Sequence, residues 1–590
     1  MINKMMLVLL LGLAPVGLRA QGLPAFPDDP VLRAMQDELA RNFDSLRVPD
    51  NLRVAESGPA RGRSEPSIPE RSNPRDSAIT PGHPANHPYY LSYTLETFRT
   101  YRASAIFGKL SGQGWSSFSQ GSVDLRIGDY ALDNSPEGRW RYRSGSFNEY
   151  LPSRPDYWGV RKAFWLQSDL FFKRAIERYS RKRMLMKTKQ RPKPLDDFSR
   201  EAPFRYFEGT GESDPDTAGL EDLLREVSGL FRRYPQIERS RAEAVLQVGR
   251  RYFVSSEGSA HRINERTASV SVEMSGLAGN GLTLRDGFSV EITPPSGRQD
   301  VLEKARHEIE RFVLQLQAPP MEDYFGPVLF QGQAAAELAA QAVVPLMQAE
   351  RDPLSEGDLS DDESRGLKKW LNQRVMAPHL TLTDDPSLEL WEGDTLAGHY
   401  VVDDQGLPGR RITLVDRGIL KTFYMSRSPI EGISGSNGHL RGGRLMPGNL
   451  LLSTSKGLSH KKLIREMEKL CRETGNDYGI IIKRLEPQRY SFEFASPTIK
   501  ALEAYRYDLK TKQLVLVRNL ILRDISRRTL RDIHRLGEKP QAYNSRIGSG
   551  TEGRGYSVIT PDILVRQMEA GGPSEVGSLP PLLKNPFFQP

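Results

Sequence analysis

The 590-residue chain has one cysteine, Cys471, nine scattered histidines and, beyond its first twenty residues, no apolar run of bilayer length. Each shortage excludes something. A lone cysteine cannot form an intramolecular disulfide, so stability must come from buried apolar cores, which a chain this long can build. Cys471 follows the apolar-periodic stretch Leu463 to Leu470 and is expected to be a small buried residue. A bilayer span needs roughly 18 or more apolar residues, so no membrane role is expected after the N-terminal segment. The formal net charge of +8 is mild for this length. One dense basic tract, Lys173 to Lys193, holds ten Lys or Arg against the single acid Glu177. Nucleic acid could use such a tract, but the polar face of an exposed helix followed by a Pro-Lys-Pro loop accounts for it, and no nucleic-acid partner is expected.

The chain opens with Lys4, an uncharged run from Met5 to Leu18, and Ala20 before Gln21. A basic start, a short apolar stretch and a small residue at the cut outline a secretory signal, residues 1–20. Pro15 and Gly17 interrupt the run and argue against an anchor. The expectation is an exported protein, periplasmic or secreted.

Residues 21–87 are expected to be a flexible lead, rich in Pro, Ser and Arg, that buries too little to offset its ordering entropy. Strands are then predicted at 90–102, 104–110 and 122–127, and a helix over 161–187 with Phe164, Trp165, Phe171, Phe172 and Tyr179 on its buried side. Two strands flank Ser256-Glu-Gly258, and apolar residues at three- and four-residue steps predict a helix over 300–316. Pro319-Pro320 ends it and marks the boundary between an N-terminal domain, 88–318, and a C-terminal one, 321–570, with a tail to 590. The second domain begins with a strand, 324–330, and an Ala-rich helix, 334–344; strands at 409–415, 420–425, 479–483, 501–507 and 514–520 and a helix at 460–472 follow. Without regular βαβ alternation the fold class is α+β: a mixed N-terminal domain, then a strand-rich C-terminal one.

Chemistry is sparse. His307-Glu308 opens like a zinc helix, but no second His follows one turn later, so His307 is a polar-face residue. His83 and His87 share ligand spacing inside the lead segment. No Gly-x-Ser-x-Gly elbow and no phosphate-cradling glycine loop occurs.

The run Tyr324-Phe-Gly-Pro-Val-Leu-Phe-Gln-Gly-Gln-Ala-Ala-Ala-Glu-Leu338 resembles the segment that introduces the active-site helix of the TldD/PmbA metallopeptidases. Further stretches agree in order, among them Trp165 to Ala175, Ser255-Ser-Glu-Gly258, Asp404 to Arg411, Gly418 to Phe423, Ser436-Asn-Gly-His439 and Val517-Arg-Asn519. The exported branch of the family is nearest. The resemblance implies a helix bearing His-Glu-x-x-x-His and a late Cys: two imidazoles and a thiolate for zinc, with the Glu as general base. Here those positions hold Ala340, Gln341 and Pro345, and Ser549 stands where the thiolate would be. Ala340 and Pro345 carry no donor, and a neutral Gln cannot take a proton from water. No His occurs between 308 and 378, so no shift of alignment restores the motif.

The resemblance therefore implies a family scaffold without its metal site: no cofactor, and a homo- or heterodimer, for instance with a motif-bearing paralogue, that holds unfolded peptide. Two alternatives remain open. One is a metallopeptidase using zinc on other ligands, such as His399, His439, Asp403 and Asp404; the other is a stand-alone peptide-binding homodimer of the periplasm.

Overall fold

The structure, a computed structural model, describes residues 23–48, 87–135, 145–148, 151–188, 195–209, 216–292, 297–351, 367–488, 498–548 and 553–572. The expected signal, the tail beyond 572, His83 and Ser549 lie outside them.

The first half is built on a seven-stranded sheet. Strands β1 (Tyr90–Ile106) and β2 (Lys109–Arg126) form one long hairpin. Its turn lies at Phe107 and Gly108, both at positive φ (46° and 75°), as a two-residue hairpin turn demands. The strand expected over 104–110 is therefore two strand ends and a turn. Only Gly108 signalled it, because Phe rarely adopts this conformation. Short β3 (Gly145–Phe147) extends β2, and short β4 (Arg205–Phe207) runs parallel to β6. Strands β5 (Ile237–Ser255), β6 (Ala260–Leu277) and β7 (Thr283–Glu291) form an antiparallel meander beside β1.

Four helices cover one face of this sheet: α1 (Pro30–Ser45), α2 (Tyr157–Thr188), α3 (Thr217–Gly229) and α4 (Arg298–Gln317). Odd residues of β1 point at them. Leu91, Tyr93 and Leu95 pack with α1 and α2, and Tyr101, Ala103 and Ala105 with α3 and α4.

Helix α1 corrects the expectation that residues 21–87 are all flexible. Asp29 caps it, accepting from the N–H groups of Val31 and Leu32 at 2.9 and 3.1 Å, and Pro30 occupies its first turn. Leu32, Met35, Leu39 and Phe43 recur at helical steps and are buried, and Asn42 donates to the Tyr93 hydroxyl at 2.8 Å. The cap and the period were present in the sequence but were outweighed by the composition of the segment after Val48. His87 is also buried; its Nδ1 lies 2.9 Å from Arg47 and 3.1 Å from the Phe43 carbonyl. On α2, Phe164, Phe172 and Tyr179 are buried as expected, but Trp165 is 48 % exposed. It follows Phe164 directly, and adjacent helical residues cannot both face the core centre.

After Pro319-Pro320 the chain enters β8 (Tyr324–Phe330), α5 (Gln333–Leu338) and β9 (Leu380–Asp384). Two minimal hairpins, β10–β11 (Leu390–Trp391, Asp394–Thr395) and β14–β15 (Leu440–Arg441, Arg444–Leu445), flank β12 (Ile412–Asp416) and β13 (Ile419–Leu420). The strand expected over 420–425 stops at Leu420. Phe423, Tyr424 and Met425 are buried in irregular backbone instead, since the core accepts them on both sides.

Next come β16 (Asn449–Thr454), α6 (His460–Glu473), β17 (Tyr478–Leu485), β18 (Ile499–Asp508), β19 (Leu514–Val517), β20 (Ile521–Arg523) and α7 (Arg527–Asp532). The chain closes with β21 (Ile533–Leu536), β22 (Gln541–Ile547), β23 (Arg554–Thr560) and β24 (Ile563–Gly571). They form a six-stranded sheet, β13-β12-β9-β16-β23-β22, and a seven-stranded one containing β17-β8-β24-β20-β18-β19. One continuous core joins the two sheets, and the whole is α+β. Cys471 on α6 is fully buried, and burial pushes its thiol up to about 11.

The domains meet through matched charge. Arg311 of α4 donates to Glu308 at 3.0 Å, to the Leu502 carbonyl of β18 at 2.7 Å, and to Asp286 of β7. Arg484 of β17 reaches back to Glu308 and to the Gly287 carbonyl at 3.1 Å. On the sheet face away from the helices, Arg554 donates to Glu96 at 2.8 Å and Arg251 to Asp404 at 3.3 Å. His307 is exposed, whereas its neighbour Glu308 belongs to this seam.

Candidate functional site

Strand β8 lies inside its sheet, parallel to β17 and antiparallel to β24. The chain leaves it at Gly332, where φ is +56° and a side chain would approach the Tyr543 hydroxyl at 3.0 Å. Asp562 accepts the Gly332 N–H at 3.2 Å. Gln333 brackets Leu485, accepting its N–H at 2.9 Å and donating to its carbonyl at 3.1 Å. These contacts fix the start of α5 against β17. The alanines at 334–336 let its backbone approach closely, and all three are buried.

The helix does not continue as the uniform α-helix predicted over 334–344. It is α-helical only to Leu338, π-helical over Ala339–Val343 and 3₁₀ over Val344–Met347. Pro345 gives a physical reason: it cannot donate to a carbonyl one turn back, and its ring crowds that carbonyl. The widened turn also has a geometric consequence. In an α-helix, residues five apart point about 140° away from each other; a turn closed by i to i+5 bonds brings them toward one side. Positions 340 and 345, at the spacing of the two histidines in the family motif, flank this turn.

Ala340 is buried, Gln341 is buried, and Pro345 is half-buried. The Gln341 amide donates to Glu337 Oε2 at 2.9 Å and to the Glu486 carbonyl at 2.7 Å. Glu337 was not singled out in the sequence. A single acid in an Ala-rich helix reads as a solvated residue, yet it is buried. Burial pushes its carboxyl up to about 7, against the lowering effect of the Gln341 side chain and the Gln488 N–H. The nearest described donors are thus amides, with no guanidinium or ammonium among them.

A zinc ion does not fit these residues: two of the three described motif positions have no donor atom, and the third is an amide already engaged. Among the described residues no three His, Cys, Asp or Glu side chains converge on a metal position. The alternative ligands are not brought together either. Buried His439 has Nε2 at 3.2 Å from Asp384, which also accepts from Tyr424 at 2.9 Å. His399 Nδ1 lies 2.9 Å from the Pro386 carbonyl. Asp403 accepts backbone N–H groups of Gln405 and Leu407 at 2.9 and 3.0 Å, and burial raises it to about 7. Asp404 serves the domain seam and the Gly443 N–H, at 2.8 Å. These four residues hold loops in place.

The family model of the PmbA/TldA metallopeptidase C-terminal domain matches residues 323–572. A metalloprotease of Methanocaldococcus jannaschii is 34 % identical over 73 residues, which is 12 % of this chain and 15 % of that protein. Solved structures share the fold more widely. TldE from Thermococcus kodakarensis superposes with a TM-score of 0.52 at 14 % identity, covering 82 % of this chain and 97 % of that one. A proposed modulator of a DNA gyrase from Thermotoga maritima gives 0.52 at 13 % identity, covering 82 % and 96 %. Residues 323–572 thus match the PmbA/TldA metallopeptidase C-terminal domain in sequence, and the wider chain shares the fold of these solved structures.

Proposed function

We propose that this chain is a non-catalytic member of the family, exported, that pairs with another subunit and holds unfolded peptide without cleaving it. The observation that carries this reading is the state of the helix after β8. The helix still enters from the strand at Gly332, while Ala340 and Pro345 offer no ligand and Gln341 is bound to Glu337 and Glu486. A pocket built for catalysis would present a base and an electrophile to the same point; here the one poised acid, Glu337, faces amides.

The test has two arms. The purified chain is mixed with a fluorescent unstructured peptide and with a motif-bearing paralogue. Binding without cleavage by the chain alone, together with a stable complex with the paralogue, supports the proposal. Cleavage that persists in the Glu337→Gln variant and is abolished by chelation would sink it. Peptide binding by a homodimer indifferent to the paralogue would favour the stand-alone reading.

A further inference from the structure

Strand β2 lies at the open side of the N-terminal sheet. Apart from Gly121 to Val123, which β3 covers, its outer edge pairs with no strand among the described residues. The chain turns off that edge just after β3, where the Leu151 N–H meets the Asn148 carbonyl at 3.4 Å. From Ser111 to Phe118 eight consecutive residues are exposed. A strand covered on one face exposes alternate residues, so here both faces and the edge are open together. Native sheets blunt such an edge with Lys, Pro or inward charge. Leu110 to Val123 hold no charged residue and no proline, in a chain of which 26 % is charged; the bulge at Ser111, where the register to β1 shifts, is the guard that remains. Gly114 is not at positive φ, and a side chain there would meet nothing within 4 Å. Packing inside this chain therefore does not require the glycine, and a strand glycine of that kind marks the close approach of another backbone.

We infer that β2 is the seam of a homodimer, in which two copies pair antiparallel through this stretch across a two-fold axis and join their sheets into one. The outward N–H and C=O groups of the edge define the occupant as a strand. A second copy fits it best. A two-fold axis sets the same segment against itself in the antiparallel sense, so every outward donor and acceptor finds a partner, and an uncharged segment meets its copy without like-charge repulsion. Arg99, over the Trp115 ring at 4.7 Å, belongs to β1 and stands one strand back from the seam. An extended peptide would cover this edge but present a new open edge of its own, whereas a second copy closes both at once. Trp115, opposite Tyr101, and Phe118, opposite Phe98, lie on opposite faces of β2 and are 41 % and 39 % exposed. A continued sheet brings side chains over both. The pairing requires neither bound peptide nor the loss of a metal, so it stands apart from the non-catalytic reading.

The test is sedimentation equilibrium of the full chain over a range of concentrations, with a cysteine scan of the edge. A monomer–dimer equilibrium is expected. Gln113→Lys/Ser117→Lys places like charges on one face of both facing strands and should raise the dimer dissociation constant at least about tenfold. Circular dichroism checks that these exposed substitutions leave the fold intact. The native thiol, Cys471, is buried, so single cysteines from Ser111→Cys to Phe118→Cys report on the seam alone, with Leu514→Cys on the exposed start of β19 as the control. Under mild oxidation, covalent dimers should peak at one or two neighbouring positions and fall away on either side. Only residues at the axis meet their own copies within disulfide reach, roughly 7 Å between Cα atoms. A chain monomeric throughout, a folded lysine variant that dimerises like the parent, or cross-linking equal along the scan and at the control overturns the proposal. So does a monomer whose edge cysteines capture a cysteine-bearing unstructured peptide, which would assign the edge to peptide instead.

Discussion

Two helices bury carboxylates against the C-terminal sheets on opposite terms. On α4, Glu308 lies between Arg311 and Arg484, and Asp286 beside them, so buried negative charge meets buried positive charge. Past β8, Glu337 is buried to a similar degree, with amides for company. Burial then decides the outcome, and its carboxyl rises to about 7. A matched network holds two domains together; an unmatched acid is a proton-binding group in a place where structure alone does not need one. On the proposed reading, the second pattern marks a helix that keeps its place without metal ligands.

The comparison can be broken from either side. Arg311→Ala should have the largest effect, leaving Asp286 and Glu308 with less countercharge, and cost about 3–5 kcal/mol in chemical denaturation. A loss below about 1 kcal/mol would mean the seam is a surface-like pair and the contrast false.

Glu337→Gln should act more modestly and depend on pH. The folded state holds this proton up to about pH 7, whereas the unfolded chain releases it near 4.3. The folded protein is thus at its best, with respect to this group, below the unfolded value, and loses stability as pH rises through 7. The loss is on the order of 2–3 kcal/mol between pH 5 and 8 and should be absent in Glu337→Gln. A variant whose unfolding curves shift with pH as the parent's do would contradict the assignment.

The smallest effect is expected on α2. Trp165→Ser should change stability by no more than about 0.5 kcal/mol, while neighbouring Phe164→Ala, emptying a core position, should cost about 3–5 kcal/mol. Similar losses at both positions would put Trp165 back in the core.

Much of the fold was legible because long strands and helices announce themselves by period. The helix at α4, the strand at β8 and the paired strands β5 and β6 follow their apolar residues. What was missed had a weaker or a competing signal. Helix α1 carries a good cap and period but adjoins a Pro- and Ser-rich stretch, and composition overrode it. Helix α3 passed unread, though Leu220, Leu223, Leu224 and Val227 are buried at helical steps. The turn at Phe107-Gly108 uses a residue that rarely adopts it. At the candidate site the missing donors at 340 and 345, and a break of the helix near Pro345, could be read directly, but the burial of Glu337 could not. It depends on what packs around the helix: Leu485, Glu486 and Gln488 come from a strand end about 150 residues later.

The central claim is that the helix after β8 is a family scaffold without a metal. Its most direct test is the zinc and iron content of the purified chain by elemental mass spectrometry, after loosely bound metal is removed by dialysis against a weak chelator. The account predicts a small fraction of an ion per chain; close to one tightly held ion per chain would contradict it.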